Sequence, residues 1–393
     1  MADNKFIFSK IKRFSKPWVS YKEKTDGKYV KSGNDNKFPE HLIELYNKSS
    51  IHAAAVNATT EAIIGGGLKS DSEVALDRAN SKGESWNNIF TKVSTDYYLH
   101  GAFALEVIWS LDRTRIAEVY HIDFSHIRAK EKDDRGNIPG YFISNKWSEY
   151  SVKSEDIDYL PIYDPRKKDE ETNQIYVSKA YRPGQEYYPL PEYNAALKVI
   201  ELDTEVDNFH VSNITNGLAP SIAITTFSDS SDDDRKAIEE ALRANYGGSD
   251  NAGSLIYMDV ASPELKPDIT PIPQNGADGY YTTINDMVTQ KILTAHRITS
   301  PMMLGIKTEG QLGGREEVLD AFLLWFNTVI EPYQQDILAE LETLLEVNYP
   351  DIIIGVETKR LYSDGEVEEE IVTSVDTSTE DDEQINEEEV AEL

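Results

Sequence analysis

Residues 296–306 read HRITSPMMLGI, and residues 316–345 read EEVLDAFLLWFNTVIEPYQQDILAELETLL. The first segment ends a helical pattern at a proline. Pro301 steers Ser300 away from helical geometry, so the preceding helix is expected to stop there. Residues 305–314 then hold four glycines in ten positions, a pliable loop beginning at Gly305. From Arg315 to about Glu346 the residues Val318, Leu319, Phe322, Phe326, Val329, Ile330, Tyr333, Ile337, Leu341, Leu344 and Leu345 fall on one stripe. Some 32 residues at about 1.5 Å each span roughly 48 Å. Pro332 lies inside that rod. It removes one ladder hydrogen bond and crowds the carbonyl four residues earlier, which predicts a bend near 327–332. A compact enzyme has little use for either feature.

Upstream, residues 1–37 are Lys-rich and weakly patterned, and read as a basic arm. A helix begins near Pro39. Ser49-Ser50 caps a second, IHAAAVNATTEAII, which Gly65–Gly67 ends. A third covers about 85–100 and stops at His100-Gly101. The period then changes to two: AFALEVIWS (102–110), IAEVYHID (116–123), YFISNKW (141–147) and DIDYLPIYDP (156–165) read as strands. The helical period returns over 193–217, with Ala195, Val199, Leu202, Val206, Phe209 and Ile214 as its apolar side. An insert follows of strand (221–227), helix (232–248) and strand (254–260). A further long helix runs from about Tyr280 to Ile298, and DIIIGV (351–356) suggests a last strand. The fold class is α+β, with long helices bracketing a small α/β insert.

The chain has 393 residues, no cysteine and a formal net charge of −31. Disulfides, thiolate metal sites and a Cys nucleophile are excluded. Fourteen acids and no Lys or Arg lie in 364–393, an acidic tail expected to be disordered. Residues 1–32 carry +6, which leaves −23 for the body between them. Affinity for duplex DNA comes mainly from cations at phosphates, so tight sequence-specific binding is not expected of this body. No apolar run is long enough for a membrane span.

Catalytic motifs are lacking: no G-x-S-x-G, H-E-x-x-H or phosphate loop occurs. In His121-Ile-Asp-Phe-Ser-His126 the spacing turns His121 and Asp123 one way and His126 the other, and favours a structural role. Asp229–Asp234 favours a helix N-terminus over a cation site. No metal and no cofactor are expected. Glu201, Asp203, Glu205 and Asp207 are assigned to exposed faces of the 193–217 helix, either solvated or lining a shared acidic channel.

Three segments carry a resemblance. FHVSNITNGLAPSIAITT, RANYGGSDNAGSLIYM and HRITSPMMLGI occur in the order and spacing found in portal (head–tail connector) proteins of tailed double-stranded-DNA phages, which the chain resembles over about 38–350. The resemblance implies an arm (1–37), a wing (38–190), stem helices (191–218 and 272–300), a clip (219–271), a tunnel loop (301–314), a long kinked helix (315–347), a terminal strand (348–363) and the tail. It implies a non-enzymatic ring of twelve copies at one capsid vertex. Through that ring a terminase large subunit drives DNA in and DNA later leaves. Major capsid, scaffold and head–tail adaptor proteins are the other partners, the virion is the location, and host cytoplasm is the place of assembly. On this reading Lys307, Glu309 and Gln311 face the DNA. Glu201, Asp203, Glu205 and Asp207 line the channel, while Arg235, Lys236 and Arg243 meet partners. Pro301 and Gly305 break stem into loop, and Pro332 kinks the rod. Two other classes compete: a different ring-forming adaptor, and a metal-dependent DNA-processing enzyme built on Asp232–Asp234.

Overall fold

The computed structural model describes residues 23–25, 28–147, 149, 152–216, 222–227, 255–260, 277–306 and 315–358. The expected helix at 232–248, residues 307–314 of the expected loop, residues 359–363 and the tail at 364–393 lie outside them. So do Lys307, Glu309, Gln311, Arg235, Lys236 and Arg243.

Strands β1 (Lys24–Thr25) and β2 (Val30–Lys31) pair antiparallel. Residues assigned from sequence to a loose arm therefore join the body: Val30, Ser32 and Asn36 are buried. Helix α1 (Phe38–Lys48) starts with proline in its first turn, where the missing N–H costs nothing. Helix α2 (Ser50–Ile64) begins as expected at Ser49, whose hydroxyl accepts from the His52 amide. It ends at Gly65, where φ is +55° and a Cβ would come within 2.6 Å of the Glu357 carbonyl. Strand β3 (Leu68–Ser70) and a short helix α3 (Glu73–Leu76) lead to α4 (Trp86–His100). A reciprocal pair of bonds between Ser85 and Asn88 opens α4, and left-handed Gly101 closes it.

Strand β4 (Ala102–Trp109) is the centre of a three-stranded antiparallel sheet. It lies between β5 (Ile116–Ile122) and β9 (Asn173–Lys179). The first two were legible as alternating segments; β9 was missed. Alternation sorts β4 by size. Phe103, Leu105 and Val107 face the core under α4, while Ala102 and Ala104 face a second core. That second core lies under β6 (Ile127–Ala129), β7 (Gly140–Ile143) and β8 (Asp158–Pro161), another antiparallel sheet. Between residues 123 and 126 the expected strand turns into a short 3₁₀ segment, started by Asp123 accepting from the Ser125 amide.

Helix α5 (Leu197–Asn216) leads toward β10 (Ile222–Phe227) and β11 (Leu255–Val260), which pair in parallel. Parallel pairing requires a crossover of a dozen or more residues, and the 27 residues from 228 to 254 supply it. Helix α6 (Ala277–Ala295) returns, three residues offset from the expected span. The long rod is α7 (Arg315–Trp325), a π-helical segment at Phe326–Ile330 and α8 (Glu331–Leu345), before β12 (Ile354–Val356) pairs with β3. Ile337, Leu341, Leu344 and Leu345 of α8 are buried in the same apolar cluster as Ile89, Phe90 and Val93 of α4. Each such side chain contributes roughly 1.5–3 kcal/mol from burial alone. Val329 and Ile330 join them as expected, but Trp325 also turns inward while Leu323 and Leu324 stay exposed. The extra residue of the π turn rotates the stripe between the two halves of the rod. Among the described residues no helix is long and apolar enough to cross a membrane.

Candidate functional site

The elements that the sequence singled out converge where α2, α4, α5, α6 and the rod meet. Helix α6 ends at Ala295 and three residues turn the chain out of it. His296 is buried, Arg297 takes a left-handed φ of +56°, and Ile298 buries against Ala55 and Leu293. Ser300 then accepts from the Met302 amide, Pro301–Leu304 forms a 3₁₀ turn, and Gly305 closes it at φ +74°. The helix thus ends at Ala295, ahead of the stop expected just before Pro301, and Pro301 and Gly305 instead open and close the 3₁₀ turn that follows.

The proline in the rod is answered from this turn. In an α-helix the Thr328 carbonyl would accept from residue 332, which as proline has no N–H. Here the helix widens, with the Glu331 amide reaching back to the Phe326 carbonyl. Arg297 Nη2 donates instead to the Thr328 carbonyl at 2.8 Å. Two helical turns earlier, the Thr299 hydroxyl donates to the Ala321 carbonyl at 2.6 Å. The segment that follows α6 therefore grips the rod within its π turn, at Thr328, and ahead of it, at Ala321. Glu192, 3.7 Å from Arg297 Nη1, holds the guanidinium from the other side.

Behind Arg297 lies a buried polar column. The Tyr98 hydroxyl is 2.7 Å from His296 Nδ1, and His296 Nε2 is 2.9 Å from His52 Nδ1. Tyr193 stacks on His296 at 4.9 Å between centroids, and its hydroxyl donates to the Leu99 carbonyl. Burial pushes His52 down to about 4 and His296 well below its ordinary value, so both rings are neutral. A neutral imidazole donates from one nitrogen and accepts at the other, so the two contacts at His296 run in one direction. His52 Nε2 finds no hydrogen-bond partner among the described residues.

The rod is pinned to the sheet by polar groups. Gln334 Nε2 donates to the Ile63 carbonyl at the end of α2, which explains a buried glutamine. Glu340 accepts from the Tyr176 and Ser178 hydroxyls of β9. Asn348 exchanges two bonds with the backbone of Ile116.

The sequence matches the phage portal protein family over residues 72–364, three quarters of its length. The chain belongs to the phage portal protein family. No curated protein matches it. Solved structures that share the fold include the following three. A chain from the virion of a native gene transfer agent particle is 15% identical, with a TM-score of 0.53, covering 80% of this chain and 83% of that one. A chain from the neck of the empty particle, computed with C6 symmetry, is 16% identical at a TM-score of 0.55, covering 81% and 84%. One from the native neck, computed with C12 symmetry, is 17% identical at 0.53, with the same coverage. This family is structural rather than enzymatic.

In this portal-family chain the expectation for one of the four acids of α5 needs correction. Asp203 is buried, not exposed, and accepts from the Ser49 hydroxyl at 2.7 Å. Burial raises its pKa above the usual carboxylate range. The helix buries Ala196, Leu197, Ile200 and Asp203, not the Val199/Leu202/Val206 row, and Leu202 is exposed. Two apolar rows compete on α5, and the sequence does not say which meets α1. Glu201 lies 3.3 Å from His41, while Glu205 and Asp207 are exposed. Sequence reasoning missed Arg297, His52 and His296. A left-handed arginine that caps a carbonyl 31 residues away leaves no local pattern.

Removing that cap gives a measurable outcome. Arg297→Met should cost about 1 kcal/mol, since the guanidinium is half exposed and its ion pair is screened. Hydrogen exchange should rise at the amides of 326–331 and stay unchanged at 337–345. Equal protection of 326–331 in both proteins would show that the π turn stands without the arginine.

Proposed function

We propose that the chain is the portal of a tailed-phage-like particle: twelve copies form a ring at one capsid vertex, DNA enters through it under a terminase large subunit, and DNA leaves through it later. The single observation that supports this most is the family match spanning 72–364, continuous across sheet, stem, rod and terminal strand. The shared fold with chains from gene transfer agent necks, one computed with C12 symmetry, supports the copy number. Head-to-tail contacts that repeat around an axis close into such a ring. On this reading 38–190 is the wing, 219–271 the clip and 305–314 the tunnel loop, and the protein resides in the virion after assembly in host cytoplasm. Major capsid, scaffold and adaptor proteins are its other neighbours.

An acidic body suits a conduit. Several cations on phosphates would hold the duplex at moderate salt, whereas carboxylates such as Glu205 and Asp207 let it slide. Lys307 is the exception, with Glu309 and Gln311 beside it, and we assign it a transient phosphate contact. Lys307→Ala should shorten or loosen the packaged genome with rings intact; particles of unchanged DNA content and retention would remove that role. Reversing Arg235, Lys236 and Arg243 to glutamate should weaken terminase and adaptor capture while ring formation persists. Capture at wild-type level would move the docking surface elsewhere.

Negative-stain images of the purified chain test the whole. Perforated discs of about twelve-fold symmetry are expected, and a compact monomer at micromolar concentration would overturn the proposal.

A further inference from the structure

A group outside the rod and stem has the chemistry of a cation site. Asp96 and His100 are four residues apart on α4, so they share a face in its last turn. Asp123, at the end of β5, approaches the same point. One ligand atom from each of the three lies within 4.8 Å of the other two. Asp96 and His100 are buried, at 8% and 2% exposure.

The hydrogen bonds around this group are arranged on one side. Asp96 accepts from His121 Nε2 at 2.9 Å and from the Phe124 amide at 3.0 Å, both on Oδ2. Asp123 accepts from the Ser125 amide at 2.8 Å and the Ser125 hydroxyl at 2.7 Å, both on Oδ1. Each carboxylate is thus oriented through one oxygen, and its other oxygen has no protein donor among the described residues. His100 Nδ1, fully enclosed, likewise has no hydrogen-bond partner among the described residues. Two carboxylates this close repel, and their hydrogen-bonding neighbours supply one imidazole, two backbone amides and a hydroxyl. The last turn of α4 adds the negative end of a helix. Burial holds His100 below its ordinary pKa, the neutral form that binds metal. An oriented carboxylate backed by a histidine, and another backed by serine, is how proteins fix metal-binding oxygens.

We propose that Asp96, His100 and Asp123 bind a first-row divalent cation of the zinc type, through two carboxylate oxygens and one imidazole nitrogen. This departs from the sequence reading, which gave His121 and Asp123 a structural role and expected no metal. Ligands at about 2.0–2.2 Å around a tetrahedral ion stand about 3.4 Å apart, so closing the group needs only small side-chain rotations. The fourth position falls to water. Such an ion ties the end of α4 to the turn between β5 and β6, across the base of β4.

The test uses the full-length chain, stripped with EDTA and returned to chelator-free buffer. Titration with zinc chloride should show one ion bound per chain and raise Tm by about 5 °C at a hundredfold excess over Kd. Asp123→Asn and His100→Gln should each weaken binding about tenfold or more. The acidic tail can add a weaker phase, but that phase is indifferent to both substitutions. If either variant fails to fold, X-ray absorption of zinc-loaded wild type decides: a single imidazole in the shell is expected. Absence of one-to-one binding overturns the proposal, as does affinity unchanged in folded variants, or a shell with no imidazole or several.

Discussion

Arg128→Leu should destabilise the chain by about 4 kcal/mol, the largest effect we expect from any single substitution. Arg128 is completely buried in β6, yet each of its five N–H donors is placed. Nε donates to Asn36 Oδ1, Nη1 to the Ser125 and Ile127 carbonyls, and Nη2 to the Asn36 carbonyl and the Glu40 carboxylate, all within 2.7–3.1 Å. Trp147 lies 5.2 Å from the guanidinium carbon and covers it. Leucine fills part of the volume but leaves three carbonyls, an amide oxygen and a carboxylate without their donor. Stranded buried acceptors cost about 1–3 kcal/mol each before relaxation. Lysine should rescue little, because one ammonium cannot reproduce the planar fork. Urea unfolding measures both. A loss under about 1 kcal/mol for Arg128→Leu would mean that residues 36–40 are held to β6 by something else.

Acid should loosen the junction where α2 and the end of α6 meet the rod. An unfolded chain takes protons on His52 as pH falls through about 6.5, whereas the buried ring resists until about 4. Between those values the unfolded state binds more protons, so stability falls as pH falls. At about pH 5 the cost is roughly 2 kcal/mol for His52 alone. His296 and His100, also held down by burial, add in the same direction. Asp203 works against them over the range in which its raised carboxyl protonates. Denaturation midpoints at about pH 7.5 and about pH 5 should therefore separate clearly, and the His296→Gln variant should show a flatter dependence. Parallel curves for the two proteins would remove His296 from the account.

Much of this architecture is legible in the amino-acid order, for reasons that differ by element. Ser49, Gly65 and Gly101 mark boundaries because a cap or a left-handed residue acts on its own neighbours. Phe103, Leu105 and Val107 declare a strand because alternation is local too. Strand β9 escaped because NQIYVSK, after a polar charged run, has only Ile175, Tyr176 and Val177 as apolar residues. Its identity comes from pairing with β4, some 70 residues earlier. Asp203 was misplaced for the same kind of reason: α5 offers two apolar rows, and α1 selects one. The turn at Pro301–Gly305 follows from residues whose effect is on their own backbone, whereas the helix stops earlier, at Ala295, where no proline or glycine stands. The arginine that accommodates Pro332 was not legible, because its partner is a carbonyl, which every residue has.

The parallel register of Ile222–Phe227 with Leu255–Val260 sets a rule for anyone redesigning the insert. Both strands point the same way, so the chain leaves on the side opposite to where it came in, about 20 Å off at 3.3 Å per residue. A tight hairpin swapped in for residues 228–254 would reverse the second strand and deliver the polypeptide back at its starting side. Trimming is thus permitted in the long connections only while the direction of travel is kept.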